Sequence, residues 1–227
     1  MKKKSITNII DKMYEMFPAN KTELEYSTPF QLLIAVILSA QSTDKQVNKI
    51  TKLLFQTIIT PDDIIRLWLG NFESSIKSIW LYKSKAKNIY NLSKMIILLW
   101  KNDLKTKKGQ ELYLKYWYVI PDDIEKLLEL PWVWIKTAKV IWHILYGIKV
   151  VAVDTHVHRI MNRLGIVKTD KPEKTSDLLE KLIPNDYKSI AHNAMVLFGR
   201  YHCKAINPKC DICPFTDICE YFILIKW

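Results

Sequence analysis

The chain has 227 residues, 49% of them hydrophobic and 25% charged, and a formal net charge of +11. That balance excludes a disordered or fibrous chain and suffices for one large domain or two small ones. The positive excess points toward an anionic partner, nucleic acid first. Only four of the basic residues are arginine (Arg66, Arg159, Arg163 and Arg200), and lysine abundance of this kind is also what an AT-rich genome writes.

Met1 to Lys4 is basic, but the following "SITNIIDKMYEMF" lacks the continuous apolar core and cleavage site of a secretory signal. Its spacing instead predicts an amphipathic helix with Ile6, Ile9, Ile10 and Met13 on one face. Residues 31–40, "QLLIAVILSA", form the longest apolar run, too short to span a bilayer; with Pro29 and Phe30 it reads as a buried helix. The expectation is a soluble cytoplasmic protein, associated with the nucleoid if the source is a prokaryote.

Ser42 or Thr43 then offers an N-cap for a helix carrying Val47, Ile50, Leu53 and Leu54 on one side. "TPDDIIRLW" spells a helix start: Thr60 as cap, Pro61 in the first turn, and two acids at the positive dipole end. "PDDIEKLLEL" at 121–130 repeats it. Further helices are predicted over 84–100, 136–146, 154–164, 173–182 and 187–200. "KVVAVD" at 149–154 is the one short strand candidate. The pattern predicts an all-α fold.

All four cysteines lie between 203 and 219, spaced Cys203-x6-Cys210-x2-Cys213-x5-Cys219. Disulfides do not suit a chain expected in a reducing compartment. Several thiols converging from a short loop, one pair in a CxxC turn, suit a metal centre, and spacing alone leaves zinc and iron–sulfur open. Lys204 and Lys209 on the same loop are candidates to meet phosphate.

Three further segments carry the chemistry. "LPWVWIKTAKV" (130–140) places Lys136-Thr137-Ala138 at the start of a helix, and "VDTH" places Asp154 in front of Thr155 and His156, with 17 residues between Lys136 and Asp154. Upstream stand "LSAQSTDKQVN" (38–48), with Gln41, and "LYKSKAKNI" (81–89). Together, over about residues 20–220 and in this order, they resemble the endonuclease III family of DNA base-excision glycosylases. The resemblance implies a two-lobed helix-hairpin-helix DNA glycosylase fold. One lobe would be a six-helix barrel over 24–149 with the hairpin at about 121–146. The second would join 1–23 to 150–227 and carry the cluster loop 203–219, ligated to [4Fe–4S] by Cys203, Cys210, Cys213 and Cys219, with zinc as the alternative.

The resemblance also implies roles. Lys136 would attack C1′ of the sugar and form a Schiff base, and Asp154 would steady the developing positive charge and accept a proton. A helix start and partial burial would help keep the lysine amine neutral. Gln41 would fill the space left by an extruded base. Trp132, Val133, Trp134 and Thr137 of the hairpin, with His156, Arg159, Lys204 and Lys209, are the expected DNA contacts. The partner would be duplex DNA holding a damaged base or abasic site, the substrates oxidised or ring-saturated pyrimidines, and the enzyme a monomer. A related mismatch or photodamage glycosylase and a non-catalytic iron–sulfur or zinc DNA-binding protein are the alternatives.

The departures fall at glycine positions of the family pattern. Trp132 and Trp134 stand where the hairpin has glycines, and Trp80 and Trp117 occupy similar places. Five glycines in 227 residues is about 2%, against a usual ~7%, while tryptophan reaches eight. Either these indoles weaken DNA binding, or they stand for a codon that the source organism reads as glycine.

Overall fold

The computed structural model describes residues 5–18, 22–103, 105, 107 and 120–225. Among them every regular element is helical, and no strand is present. The chain divides into two compact units, one spanning Glu23–Tyr146 and one joining Met1–Thr22 to Gly147–Trp227.

In the central unit the helices are α2 (Pro29–Ser39), α3 (Asp44–Leu54), α4 (Pro61–Leu67), α5 (Leu69–Ser75), α6 (Tyr82–Asp103), α7 (Ile124–Glu129) and α8 (Ile135–Tyr146). Helix α2 is the axis of the core. Every residue from Phe30 to Leu38 is buried, and it packs on α3, α6 and α8. Each such aliphatic side chain contributes about 1.5–3 kcal/mol by leaving water. Its start is fixed by Pro29 and a reciprocal cap: Thr28 Oγ1 accepts from the Gln31 amide at 3.1 Å, and Gln31 Oε1 accepts from the Thr28 amide at 3.2 Å. Gln31 is buried, and its amide group also donates to Ile58 O (2.8 Å) and Phe55 O (3.1 Å). A polar residue inside an apolar run is thus fully partnered.

Of the two candidate caps for α3, Thr43 is the one used, its side chain accepting from the Gln46 amide. Helix α5 is not foreseen by the sequence pattern. It follows α4 after one residue, Trp68, whose backbone (φ 68°, ψ 144°) breaks the helical path. Helices α7 and α8 pack on each other and are joined by residues 130–134. Trp142 Nε1 donates to Asp122 O at 2.6 Å and the Tyr146 hydroxyl to Ile120 O, which fastens the approach to α7 onto α8.

The second unit holds α1 (Ile6–Met16), α9 (Thr155–Arg163), α10 (Pro172–Leu182), α11 (Asn185–Tyr201), a 3-10 turn (Cys210–Ile212) and α12 (Glu220–Ile225). Helix α1 buries Ile9, Ile10 and Met13 against α11, which also packs on α9. That second contact is close: a Cβ on Gly199 would lie 2.8 Å from both His156 Cβ and Ile160 Cδ1. Gly165 ends α9 at φ 67°, the left-handed C-terminal turn that favours glycine.

The segment "KVVAVD" is not a strand. Its backbone is satisfied by side chains instead. The Val151 amide donates to Glu180 Oε1 (2.9 Å), Ser176 Oγ donates to Val151 O (3.4 Å), and His192 Nδ1 donates to Ala152 O (2.8 Å). Glu180 is in turn paired with Lys188 at 2.9 Å. Val151, Ala152 and Val153 are buried, so the chain reaches α9 as a buried, extended, side-chain-clamped segment.

Candidate active site and metal centre

The turn between α7 and α8 presents Lys136. The Leu130 carbonyl accepts from the Val133 amide at 3.1 Å, and the Trp134 carbonyl accepts from the Ala138 amide at 2.9 Å, opening α8. Lys136 is the second residue of α8 and is exposed, which corrects the expectation of partial burial. Among the described residues it has no hydrogen bond or ion pair, so its Nζ is available. Val133 is a second correction. Its side chain is buried in the core and its N–H is spent in the turn, so it serves the hairpin's packing. Trp132 is half-buried at φ 61°, Trp134 is 70% exposed, and Thr137 is half-buried.

Asp154 is the N-cap of α9. Its Oδ1 accepts from the amides of His156 and Val157, both at 2.9 Å. Both bonds fall on one oxygen, which leaves Oδ2 for other chemistry. Cap and acid are therefore compatible in one half-buried carboxylate. Burial holds His156 below its ordinary pKa, against the opposing pull of Asp154.

A third element is a cleft in the central unit lined by Gln41, Gln46 and residues 77–84. Gln41 is exposed at φ 57°. Leu81 is 46% exposed at φ 56°. Two left-handed non-glycine residues thus share one cleft, the kind of local strain that persists where the surroundings over-determine it. Gln46 Nε2 donates to Ser78 O at 2.7 Å and ties the two rims. Leu81 and Lys85, whose Nζ donates to Leu38 O and Ala40 O, are participants that the sequence pattern does not single out. An exposed leucine and a lysine both read as ordinary surface residues until their backbone angles and burial are known.

The cysteine loop is held by α9. Arg159 donates to Cys203 O through Nε (3.2 Å) and Nη2 (2.9 Å) and to Gly199 O through Nη2 (2.8 Å). Nε and Nη2 of its guanidinium therefore hold the cysteine loop. Arg163 donates to Lys204 O (2.7 Å) and Ala205 O (3.1 Å) and lies 3.5 Å from Cys203 Sγ. Lys204 and Lys209 are exposed on the same loop.

Cys203, Cys210, Cys213 and Cys219 line one cavity with Ile160, Leu164 and Phe198. Among the described residues no three His, Cys, Asp or Glu side chains converge on a point as a single ion demands. A zinc ion needs its thiolates about 2.3 Å from one centre. Four thiols around a shared cavity are the donor set that an iron–sulfur cluster uses. Burial above all pushes the Cys213 thiol up to about 11 and raises Cys210, and a cationic cluster bound there would favour their thiolate forms. Cys203, Cys210, Cys213 and Cys219 are the residues that would hold such a cluster, and it would then tie the loop to the 3-10 turn and to the start of α12.

A hairpin-joined helix pair with a free lysine, a capping aspartate and a four-thiol cluster loop defines a DNA-directed protein of the helix-hairpin-helix repair class. The profile of the HhH-GPD superfamily of base excision DNA repair proteins matches residues 34–185, and that of the iron-sulfur binding domain of endonuclease III matches residues 203–219. The chain belongs to the endonuclease III family of DNA glycosylases with AP-lyase activity, and its cofactor is a [4Fe–4S] cluster. It is 42% identical over 222 residues to endonuclease III of Rickettsia conorii, covering 96% of this chain and 98% of the relative, and 41% identical over 218 residues to that of Bacillus subtilis, covering 96% and 92%. Among solved structures it is similar to a trapped endonuclease III–DNA covalent intermediate, with a TM-score of 0.85 and 40% identity over 98% of this chain and 97% of that one. A non-catalytic DNA-binding protein is thereby set aside. Among the described residues no helix is long and apolar enough to cross a membrane.

Proposed function

We propose that Lys136 is the nucleophile and Asp154 the carboxylate of a glycosylase and β-lyase acting on oxidised or ring-saturated pyrimidines in duplex DNA. The observation that carries this is the exposed, unpartnered Lys136 Nζ at the start of α8, immediately after the hairpin. The amine attacks C1′, and the C1′–N bond breaks with its electron pair leaving on the base, which takes up a proton. The amine gives up a proton, the C1′–O4′ bond breaks with O4′ taking up a proton, and the Schiff base forms on the opened sugar. Loss of a 2′ proton then expels the 3′ phosphate, and water releases the lysine. Oδ2 of Asp154 steadies the positive charge on the sugar and accepts a proton.

Gln41 and Leu81 serve the extrusion step. Taking a base out of the stack costs a few kcal/mol. An exposed amide and an exposed apolar side chain, both on strained turns of one cleft, are suited to enter the gap and offset part of that cost. His156, Thr137, Lys204 and Lys209 contact phosphate, and the enzyme works as a monomer on chromosomal DNA.

Borohydride reduction in the presence of an abasic duplex tests the assignment. A covalent protein–DNA adduct is expected in the wild type and absent in Lys136→Gln. An adduct that persists in the variant, or none in the wild type, overturns the role of Lys136.

A further inference from the structure

Lys85 is a fully buried lysine with no ion-pair partner among the described residues. Its Nζ donates to Leu38 O at 2.8 Å and to Ala40 O at 2.5 Å, and its backbone amide donates to Leu81 O at 2.9 Å. Leu38 and Ala40 end α2, where carbonyls lack intrahelical partners and the dipole is negative. The next residue is Gln41 at φ 57°. One buried cation therefore braces the turn that presents Gln41 and sits on the turn that presents Leu81. We propose that Lys85 is a positioning residue for base extrusion: it holds Gln41 in its left-handed conformation, ready to occupy the gap. This rests on the gap-filling role of Gln41 given above. Burial alone lowers the Lys85 ammonium to about 8. That cost falls at this one place, and the two carbonyls are what it secures.

The test compares Kd for a duplex holding a tetrahydrofuran abasic analogue with Kd for the intact duplex. The proteins are the wild type, Lys85→Met, Gln41→Ala and the double variant. Lys85→Met is expected to lose roughly tenfold on the abasic duplex and nothing on the intact one, since both carbonyl bonds that brace the Gln41 turn are lost. The double variant should be no weaker than Gln41→Ala alone, because both act through one side chain. Should Lys85→Met not fold, Lys85→Gln keeps an amide donor but is too short to bond both carbonyls, and a clear partial loss is expected. Wild-type discrimination in either folded variant, or losses that multiply in the double variant, overturns the proposal. A wild type without preference for the abasic duplex removes the role of Gln41 itself, and that of Lys85 with it.

The tryptophans carry an independent inference. Trp68 has φ 68° and ψ 144°, near a region essentially confined to glycine, and Trp132 has φ 61°. Trp68 is 74% exposed, so burial of its indole does not compensate for the strain. The sequence as a whole is short of glycine and rich in tryptophan. A single codon joins the two residues: UGA, a stop in the standard code, is read as tryptophan under one variant code and as glycine under another. We infer that positions 68 and 132 are glycine in the protein made by the source organism, each encoded by UGA. The coding sequence and the mass of the corresponding peptides from source cells test this. UGA at both codons and peptides lighter by the tryptophan–glycine difference are expected. UGG at either codon, or a tryptophan mass, overturns the inference for that position. Trp132→Gly is further expected to tighten binding to intact duplex about tenfold by opening the hairpin backbone to phosphate; unchanged or weaker binding contradicts it.

Discussion

Adding one methyl group at Gly199 measures how closely α9 and α11 are joined. The new Cβ of Gly199→Ala would stand 2.8 Å from His156 Cβ and from Ile160 Cδ1. Carbon–carbon contacts prefer about 3.5–4.0 Å, so α9 must move by a large fraction of an ångström. His156 meets the methyl through its Cβ and cannot swing away as a long side-chain end can. Overpacking of this kind costs about 1–3 kcal/mol. The same shift stretches the bond from Arg159 Nη2 to Gly199 O, 2.8 Å in the native fold, and a bond to a charged donor is worth about 1.5–3 kcal/mol. The better helix propensity of alanine returns about 0.5–1 kcal/mol. The expected net loss is about 2–3 kcal/mol, together with a looser cysteine loop, because Arg159 holds both Gly199 O and Cys203 O. Gly70→Ala is the control: its added Cβ meets nothing within 4 Å, so it should be neutral or slightly stabilising. Urea unfolding of the cluster-loaded protein, followed by helical signal and by cluster absorbance, reads both effects. A Gly199→Ala protein within about 0.5 kcal/mol of the wild type, or no worse than Gly70→Ala, would refute the packing argument.

Asp154→Asn keeps a capping side chain and should melt close to the wild type while losing activity; Asp154→Ala should also lose about 1 kcal/mol of stability, and equal melting of the two variants would show that the cap contributes nothing. Burial lowers the His156 pKa, so the unfolded chain takes up its proton first as pH falls. Stability should therefore be full above about 6.5 and decline below it, and His156→Gln should flatten that decline in a pH series of melting curves. Lys188→Met removes the ammonium that pairs with the half-buried Glu180 carboxylate and should cost about 1–3 kcal/mol, more than Lys149→Met at an exposed pair, in parallel denaturation curves. Lys204→Gln should lower the slope of log K against log salt by about 0.9 in duplex-binding titrations; an unchanged slope would remove Lys204 from the phosphate contacts.

The all-helical class was readable because the signals that make it are local. Pro61 after Thr60, and Pro29 after Thr28, mark helix starts that need no tertiary information, and the spacing in "ITNIIDKMYEM" names the buried face of α1. The cysteine set was equally plain, being confined to 17 residues. What failed was set by partners distant in sequence. "KVVAVD" has strand composition, but its backbone groups are taken by Glu180, Ser176 and His192. The role of Arg159 in holding the loop was hidden too, because its partners Gly199 O and Cys203 O lie some 40 residues on. Lys136 was legible as a residue, but its exposure was not. Trp117 lies outside the described residues, so its place in the glycine pattern rests on sequence alone.

The left-handed residues separate function from misspelling. Asn207, at φ 51°, is a residue type that tolerates this conformation. Gln41 does not share that tolerance, yet the carbonyl of Ala40 beside it is bonded by the buried Lys85 ammonium, while Leu81 opens α6 through the Lys85 backbone amide. Their strain is held by neighbouring structure, as functional strain must be. Trp68 breaks the path between α4 and α5 with its indole in solvent. Trp132 sits in a turn that needs its backbone but not its side chain, since the bond that closes the turn runs from the Val133 amide to Leu130 O. Removing the side chain at 68 or 132 should leave the fold intact and more relaxed, whereas removing Lys85 should release Gln41. The same backbone angle therefore carries opposite expectations, and the difference lies in the buried Lys85 ammonium that braces the carbonyls before Gln41.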